Sequence, residues 1–407
     1  MIEVGPGKPV HAIGVMTGTS MDEVDVAMIR TDGETVDAFV DHFSYQISEL
    51  RRDLISVAIR HLAKLETDAL QSYRNGKLQI TWLEGLEQEL LEMVDFAIDG
   101  LLFKNGIGLD GPTEEPWLSI ATDLSALALG IHGQTVSHRP DDAFTLQIGM
   151  PQSQTNWIGT KFAQVTDFRS ADMQAGGQGA PLAPFYHFAL AKHIHATEPL
   201  AFLNVGGVGN VTWVDPAKGA PEEPGALVAF DTGPGNALVN DWMQFQTGEL
   251  LDRDGEAAAE GTVVRARLAT NSGKEYLDRR PPKSLDRNDF HGVLQAVEGL
   301  STEDGAATLT YFTADCVAQA QKHMPSPPSR WLVCGGGRHN KTLMRMLAER
   351  LDAPVASVEA VGLDGDMLEA QAFAYLAVRV LRGLPTSAPS TTGCREPVSG
   401  GRIIYPS

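Results

Sequence analysis

The opening of the chain alternates between apolar and polar residues in a pattern that predicts a hairpin. HAIGVM (residues 11–16) is an apolar run, TGTSMDE a turn, and VDVAMIRTDG resumes with Val24, Val26 and Met28 at the two-residue period of a strand. A further strand is expected over residues 36–47. The period then lengthens. SELRRDLISVAIRHLAK predicts a helix burying Leu50, Leu54, Val57, Ala58 and Leu62, and a long helix follows over roughly residues 78–103. GIGLDGPTEEPWLSIATD, residues 106–123, has loop chemistry and reads as an insertion. LSALALGIHGQT predicts a buried strand ending at His132, and TLQIGM another. A helix near residues 151–163 and a strand QVTDF follow, then the glycine-rich AGGQGAPL and a helix from about Pro184.

The second half repeats the opening theme. PLAFLNVGGVGNVTWV is another strand, glycine turn and strand, and each such block leads into mixed strands and helices. Two of them suggest a duplicated α/β domain with an active site in the cleft between the halves. Next, Leu227–Phe230 reads as a buried strand that delivers Asp231 into the turn Thr232–Gly235. Asn236 stands at the helix-cap position before Ala237, Leu238 and Val239. RWLVCGGG and PVASVEAV contain further strands, and DMLEAQAFAYLAVRVLRGL is a strong helix. The Ser/Thr/Gly-rich tail after Pro385 is expected to pack loosely.

Composition narrows the partners. The 407 residues are enough for two domains, and 43% hydrophobic with 21% charged residues is ordinary for a globular protein. With 52 acidic against 32 basic residues, the formal charge is −20, which argues against nucleic-acid and anionic-membrane partners. An anionic small substrate stays open, because a glycine loop holds phosphate locally. The cysteines, Cys316, Cys334 and Cys394, are far apart and read as core thiols. The start of the chain lacks a secretory signal and no apolar stretch has the length of a membrane span, so a cytoplasmic protein is the simplest reading.

Four glycine-rich turns follow apolar strands: Thr17–Ser20, Gly206–Asn210, Gly233–Gly235 and Gly335–Gly337. Glycine there lets a backbone approach a ligand closely. None fits a P-loop or a dinucleotide fingerprint, and G-x-S-x-G is absent. Asp231 has two readings, a base beside an anion-binding turn or a simple cap. Asp22 and Asp25 read singly as solvated turn residues. Asp167 either pairs with Arg169 or meets substrate; Asp172 is a further carboxylate beside these turns. Glu369 complements a helix dipole whether or not it has another task. His132 is either a substrate contact or a hydrogen-bonded structural group. No cluster has metal-ligand spacing, so a metal held by protein alone is not expected, although Mg²⁺ carried in on nucleotide phosphates leaves little trace.

In their order, GVMTGTSMDEVDVAMI, HGQTVSH, TLQIGMP, TDFRSADMQAGGQGAPLAPFYH, LNVGGVGN, FDTGPGNALVNDW, DRDG, PPKSLDRNDF, CGGGRHNKTLM and MLEAQAFAYLA resemble the anhydro-N-acetylmuramic acid kinase family over about residues 12–380. The resemblance implies an α/β, actin/hexokinase-like (ASKHA) fold with two RNase H-like domains around an ATP cleft. The domains would be residues 1–190, completed by 372–407, and 191–371. It implies ATP with Mg²⁺, and hydrolytic opening of the 1,6-anhydro ring of anhydro-N-acetylmuramic acid to give N-acetylmuramic acid 6-phosphate in cell-wall recycling. Asp231 falls on the family's catalytic base and Glu369 on an acid that holds the sugar. The stretch Gly18, Thr19, Ser20, Met21, Asp22, Glu23, Val24 and Asp25 matches its phosphate loop. Gly206, Gly207, Asn210, Gly233, Gly235, Asn236, Gly335, Gly336 and Gly337 are assigned to ATP. His132, Thr135, Asp167, Arg169 and Gly177 are assigned to the sugar. The partners are then small molecules, and a homodimer would fit the family. Two departures stand out. Glu23 replaces a usual glycine and either disturbs the phosphate loop or points outward. Leu285, Asp286 and Asn288 depart from the commoner PKSTGRE form. A kinase for another anhydro sugar such as levoglucosan, and a nucleotide-binding sensor without turnover, are the competing readings.

Overall fold

The opening alternation builds a hairpin. In the computed structural model, Val10–Thr17 pairs antiparallel with Glu23–Thr31, which pairs with Val36–Gln46. The structure describes residues 4–18, 21–108, 111–112, 127–151, 163–268 and 273–405, so the helix expected near 151–163 falls largely outside the described residues. Val24, Val26 and Met28 point from the middle strand into the core, as the period of two requires. On its other side Val10–Thr17 runs parallel to Ala128–Ile131, and that strand runs parallel to Ala163–Thr166. Arg402–Ile404 closes this edge antiparallel, giving a six-stranded sheet.

The second sheet repeats the plan. Leu200–Val205, Val208–Val214 and Leu227–Pro234 form an antiparallel meander, and Trp331–Cys334 and Val355–Ser357 add parallel strands beside its first strand. This doubled plan, an antiparallel meander extended by parallel strands through helical crossovers, is the actin/hexokinase-like α/β fold. The chain divides into two compact units, Met1–His193 with Glu369–Ser407, and Ile194–Leu368. Each carries one of the sheets.

The final helix, Leu368–Leu381, is seated in the first unit by two glycines. Gly14 and Gly130 are register partners on adjacent strands. A Cβ on Gly14 would lie 1.8 Å from the Ala370 carbonyl oxygen, and one on Gly130 would lie 2.1 Å from that of Phe373. Backbone therefore packs directly on backbone, which sets the height of the helix and of Glu369 in its first turn. Its far end is held by the buried Arg379, which donates to the carbonyls of Gly33 and Pro385.

Two expectations need correction. Helix Glu49–Leu62 buries Ile55, Ala58 and Leu62, while Leu50, Leu54 and Val57 are 70%, 48% and 41% exposed. Two apolar rows compete on this helix, and the core takes the row containing Ile55. The tail after Pro385 is not loose. Ser387 and Thr392 donate to the buried Asp172 carboxylate, Gln178 N–H donates to Thr392, and Arg402–Ile404 joins the sheet. The three cysteines are buried and none is in a disulfide. Among the described residues no helix is long and apolar enough to cross a membrane.

Candidate active site

Asp231 lies within strand Leu227–Pro234, at an irregularity that aims it. Asn210 pairs with Asp231 but Gly209 with Gly233, so Thr232 is an extra residue on this side of the ladder. Such a bulge bends a strand and redirects a side chain. Thr232 is buried and donates to the Gly209 carbonyl, 3.1 Å away. The segment Tyr276–Leu285 then clasps Asp231 on three sides. Its N–H donates to the Lys283 carbonyl (3.1 Å), its carbonyl accepts from the Tyr276 hydroxyl (2.8 Å), and its Oδ2 accepts from the Leu285 N–H (2.8 Å). Oδ1 has no hydrogen-bond partner among the described residues. Burial pushes the carboxyl up to about 7, against the Leu285 hydrogen bond and the nearby Lys283 charge, which both favour the anion. The cap reading fails, because this carboxylate caps no helix.

Lys283 anchors the clasp. Its buried ammonium donates to the carbonyls of Tyr276 (3.0 Å) and Leu277 (3.3 Å) and lies 4.5 Å from the Tyr276 ring centre. Burial lowers it to about 8. The departure at Leu285 is accommodated for a simple reason: the contact to Asp231 is a backbone N–H, which any residue but proline supplies. Asp286 and Asn288 bond mainly within their own turn.

Three of the four glycine turns meet in this second unit. The N–H groups of Gly235 and Ala237 donate to the Gly207 carbonyl, and that of Asn236 to Gly206. A Cβ on Gly235 would sit 2.2 Å from the Gly206 oxygen, and one on Gly233, at φ +152°, would sit 2.7 Å from the Cys316 Cβ. These N–H groups are thus committed to carbonyls and do not form the anion cradle expected at this turn. Asn236 does not cap helix Ala237–Thr247 through its side chain either, which reaches towards the Val205 carbonyl. Gly335, at φ +72°, and Gly337 press on Asn204 and Val205, whereas a Cβ on Gly336 would meet nothing within 4 Å. Gly336 therefore presents an open backbone beside the Gly206 turn.

In the first unit, Thr19 and Ser20 lie outside the described residues. Met21 closes the turn onto the Gly18 carbonyl (3.1 Å) in a left-handed conformation, φ 54°. Val24 is a core side chain, so its assignment to ATP does not hold for that side chain. Glu23 points along the sheet and accepts from Gln46 at 2.6 Å, in agreement with the outward reading. Asp25 accepts from Ser44 (2.6 Å), and burial raises it to about 6.

A second cluster forms around His132. Its Nε2 accepts from Arg169 Nε (2.9 Å) and Nη2 (2.7 Å), while Arg169 Nη1 donates to the Gly179 carbonyl (2.7 Å). Burial and the guanidinium hold His132 far below its ordinary range, so its proton sits on Nδ1, which is buried without a partner among the described residues. Burial also lowers Arg169, to about 10, against the fields of Glu369 and Asp172. Of the two readings for Asp167, the pair with Arg169 does not form. Asp167, in a left-handed conformation at φ 50°, accepts from Ser170 N–H (3.3 Å) instead. Thr135 sits beside a bulge in the hairpin Gln134–Arg139 and Phe144–Ile148. Gly177 is structural: a Cβ there would lie 2.2 Å from Asp172 Oδ2, and Asp172 ties Gly179 to the tail. Asp172, Lys283, Gly14 and Gly130 are the residues that pattern reading left without a task. Glycines inside strands and a lysine after two prolines were the available signals.

The doubled sheet defines an actin/hexokinase-like protein. The family model described as anhydro-N-acetylmuramic acid kinase matches residues 120–406. Proteins of that name from Roseobacter denitrificans and Cereibacter sphaeroides are 45% and 47% identical over 400 residues each, covering 98% of this chain and 95% and 97% of theirs. A solved activator of 2-hydroxyisocaproyl-CoA dehydratase from Clostridium difficile is similar at TM-score 0.45 and 10% identity, covering 91% of this chain and 96% of that one. The chain belongs to the anhydro-N-acetylmuramic acid kinase family.

Proposed function

We propose that this protein uses ATP and water to open the 1,6-anhydro ring of anhydro-N-acetylmuramic acid, giving N-acetylmuramic acid 6-phosphate. The observation that carries the reading is Asp231. One oxygen is fixed by Leu285 N–H, the other is unengaged among the described residues, and burial raises the carboxyl to about 7. A base poised near the working pH is what general-base catalysis asks for. In this reading Oδ1 takes a proton from the water that attacks the anomeric carbon. The bond from that carbon to O6 breaks, and O6 forms its new bond to the γ-phosphorus of ATP, whose bond to the ADP oxygen breaks. The carboxylate also stabilises the oxocarbenium character that develops at the acetal. Glu369, set by the Gly14–Gly130 platform, holds the sugar, and the Gly18–Asp25 turn and the open backbone at Gly336 take parts of the nucleotide.

Among the described residues no group of three or more His, Cys, Asp or Glu side chains is placed to hold a metal ion. We assign Mg²⁺ to the nucleotide substrate, and no step is derived through a metal held by the protein. The outward Glu23–Gln46 bond removes the one feature that favoured a sensor without turnover. The test is ADP release from the full chain with MgATP and a panel of 1,6-anhydro sugars. Turnover confined to anhydro-N-acetylmuramic acid supports the reading, and release with none of them sinks it.

A further inference from the structure

Arg338 directly follows the Gly335–Gly337 turn, a place where a cation would ordinarily be read as a phosphate ligand. The structure turns it the other way. Its side chain is 3% exposed, and all three nitrogens are engaged within the protein. Nη1 donates to the Gly335 carbonyl (3.1 Å), Nε to Glu359 Oε1 (2.7 Å), and Nη2 pairs with Asp366 Oδ2 (2.7 Å). Both carboxylates stand on the segment 358–367, near the end of the second unit, so one guanidinium ties that segment to the glycine turn. The segment closes around the tie. Glu359 Oε1 also accepts from the Gly365 N–H (3.2 Å), and a Cβ on Gly365 would lie 2.4 Å from Arg338 Nε. Backbone at Gly365 therefore packs directly on the guanidinium.

The turn does not need this side chain in order to close. The Arg338 N–H already donates to the Gly335 carbonyl (3.1 Å), and the Asn340 N–H to that of Gly337 (3.0 Å). What the side chain adds is placement. Gly335 and Gly337 press on Asn204 and Val205 of strand Leu200–Val205, and the guanidinium holds the same turn to segment 358–367. Gripped at two contacts, the open backbone of Gly336 has a fixed position, and a ligand contact through backbone depends on such placement. The planar fork suits the task, since it reaches several acceptors from one rigid group. The cluster offers a polyanion no attraction of its own, because one cation faces two carboxylates.

We propose that Arg338 is a positioning residue for the nucleotide. By tying Gly335 to Glu359 and Asp366 it fixes the Gly336 backbone where ATP is received, without touching phosphate itself. The proposal rests on the reading above that Gly336 takes part of the nucleotide.

Asp366→Ala gives the test its sign. The Asp366 side chain is 63% exposed, so its loss should leave the fold intact and carries the test if an Arg338 variant does not fold. If the cluster acted on ATP through its charge, or if a released Arg338 reached a phosphate, removing this carboxylate would tighten ATP. Loss of the tie weakens it. The full-length protein is compared with its Asp366→Ala, Arg338→Met and doubly substituted forms, using MgATP and anhydro-N-acetylmuramic acid. Steady-state kinetics give kcat and both KM values, calorimetry gives the Kd for ATP, and thermal melting confirms folding. The KM and Kd for ATP should rise about threefold in Asp366→Ala and about tenfold in Arg338→Met, with kcat and the sugar KM within about twofold. The double form should be no weaker than Arg338→Met, since both changes cut the same tie. Unchanged or tighter ATP binding in Asp366→Ala would overturn the proposal. So would ATP and sugar constants rising together, the mark of a general loss of structure. Wild-type protein that binds no ATP would overturn the nucleotide reading as well, whereas tight wild-type binding with an indifferent Asp366→Ala would overturn the positioning role alone.

Discussion

The two hairpin turns of the duplicated sheet share a position in the plan and differ in how their backbone is used. In the second unit the Gly206–Gly207 turn is fastened to the Asp231 strand and to the start of the next helix, with three N–H groups of residues 235–237 donating into its carbonyls. In the first unit Met21 N–H donates to the Gly18 carbonyl, and the carboxylates nearby, Glu23 and Asp25, bond across to Gln46 and Ser44 on the neighbouring strand. One copy is a brace that holds the Asp231 strand in place. In the other, the described ends of the turn, Gly18 and Met21, bond to each other. Duplication provided two similar turns, and glycine packing decided which became structural.

The largest expected effect breaks the braced copy at its chemical end. Asp231→Asn keeps the size and the Leu285 hydrogen bond but cannot accept a proton, so kcat should fall about 10²–10⁴-fold while ATP affinity changes little. Steady-state kinetics check this, and near-normal turnover would remove Asp231 from the role of base. Gly235→Ala breaks the brace itself. The new Cβ would meet the Gly206 oxygen, so backbone must shift, and overpacking of this kind costs about 1–3 kcal/mol or more. Urea or thermal unfolding measures it. A loss below about 0.5 kcal/mol would show that the two elements part freely.

A smaller effect sharpens the electrostatics of the same copy. The rate at low substrate should rise with pH through about 7, as Asp231 loses its proton. Lys283 favours the anion, so Lys283→Met should move this limb to higher pH by up to about one unit, roughly 1.4 kcal/mol. A purely structural lysine would lower activity without moving the limb. Stability carries the opposite sign. The folded carboxyl keeps its proton to about 7 whereas an unperturbed one releases it near 3.8, so this group makes the fold less stable as pH rises between those values.

What the sequence made legible follows from which interactions leave a pattern. Strands with a period of two, such as Val24, Val26 and Met28, announce both their existence and their buried face. The family could be named from ordered motifs before any geometry. Helix Glu49–Leu62 was legible as a helix but not in orientation, since both of its faces offer apolar residues and only the partner surface chooses between them. The Asp231 clasp was not legible, because the Lys283 carbonyl and the Leu285 N–H belong to every residue type. The Gly14–Gly130 platform and the Gly177–Asp172 contact were visible only as glycines. Their reason is a neighbour 356 or more residues away for Gly14 and five away for Gly177, and sequence spacing does not show it. Asp167 and Arg169, two residues apart, looked like an ion pair, yet a left-handed Asp167 sends its carboxylate to Ser170 and leaves Arg169 to His132.

The smallest effect is expected in the first copy. Glu23 is an acid beside the turn proposed to take part of the nucleotide, and that nearness suggests a charge penalty for ATP. The geometry argues otherwise. Glu23 stands on strand Glu23–Thr31 opposite Gln46, and its Oε1 is held by the Gln46 amide at 2.6 Å, in an exposed bond along the sheet. Solvent screens an exposed charge strongly, and pairs of this kind contribute about 0–1 kcal/mol. Glu23→Gln keeps the side chain's length and one acceptor for Gln46 while removing the charge. The KM for ATP should therefore change less than about threefold, and the unfolding midpoint should hardly move. A tenfold gain in ATP affinity would mean that the Glu23 charge acts on the bound nucleotide despite its bond to Gln46.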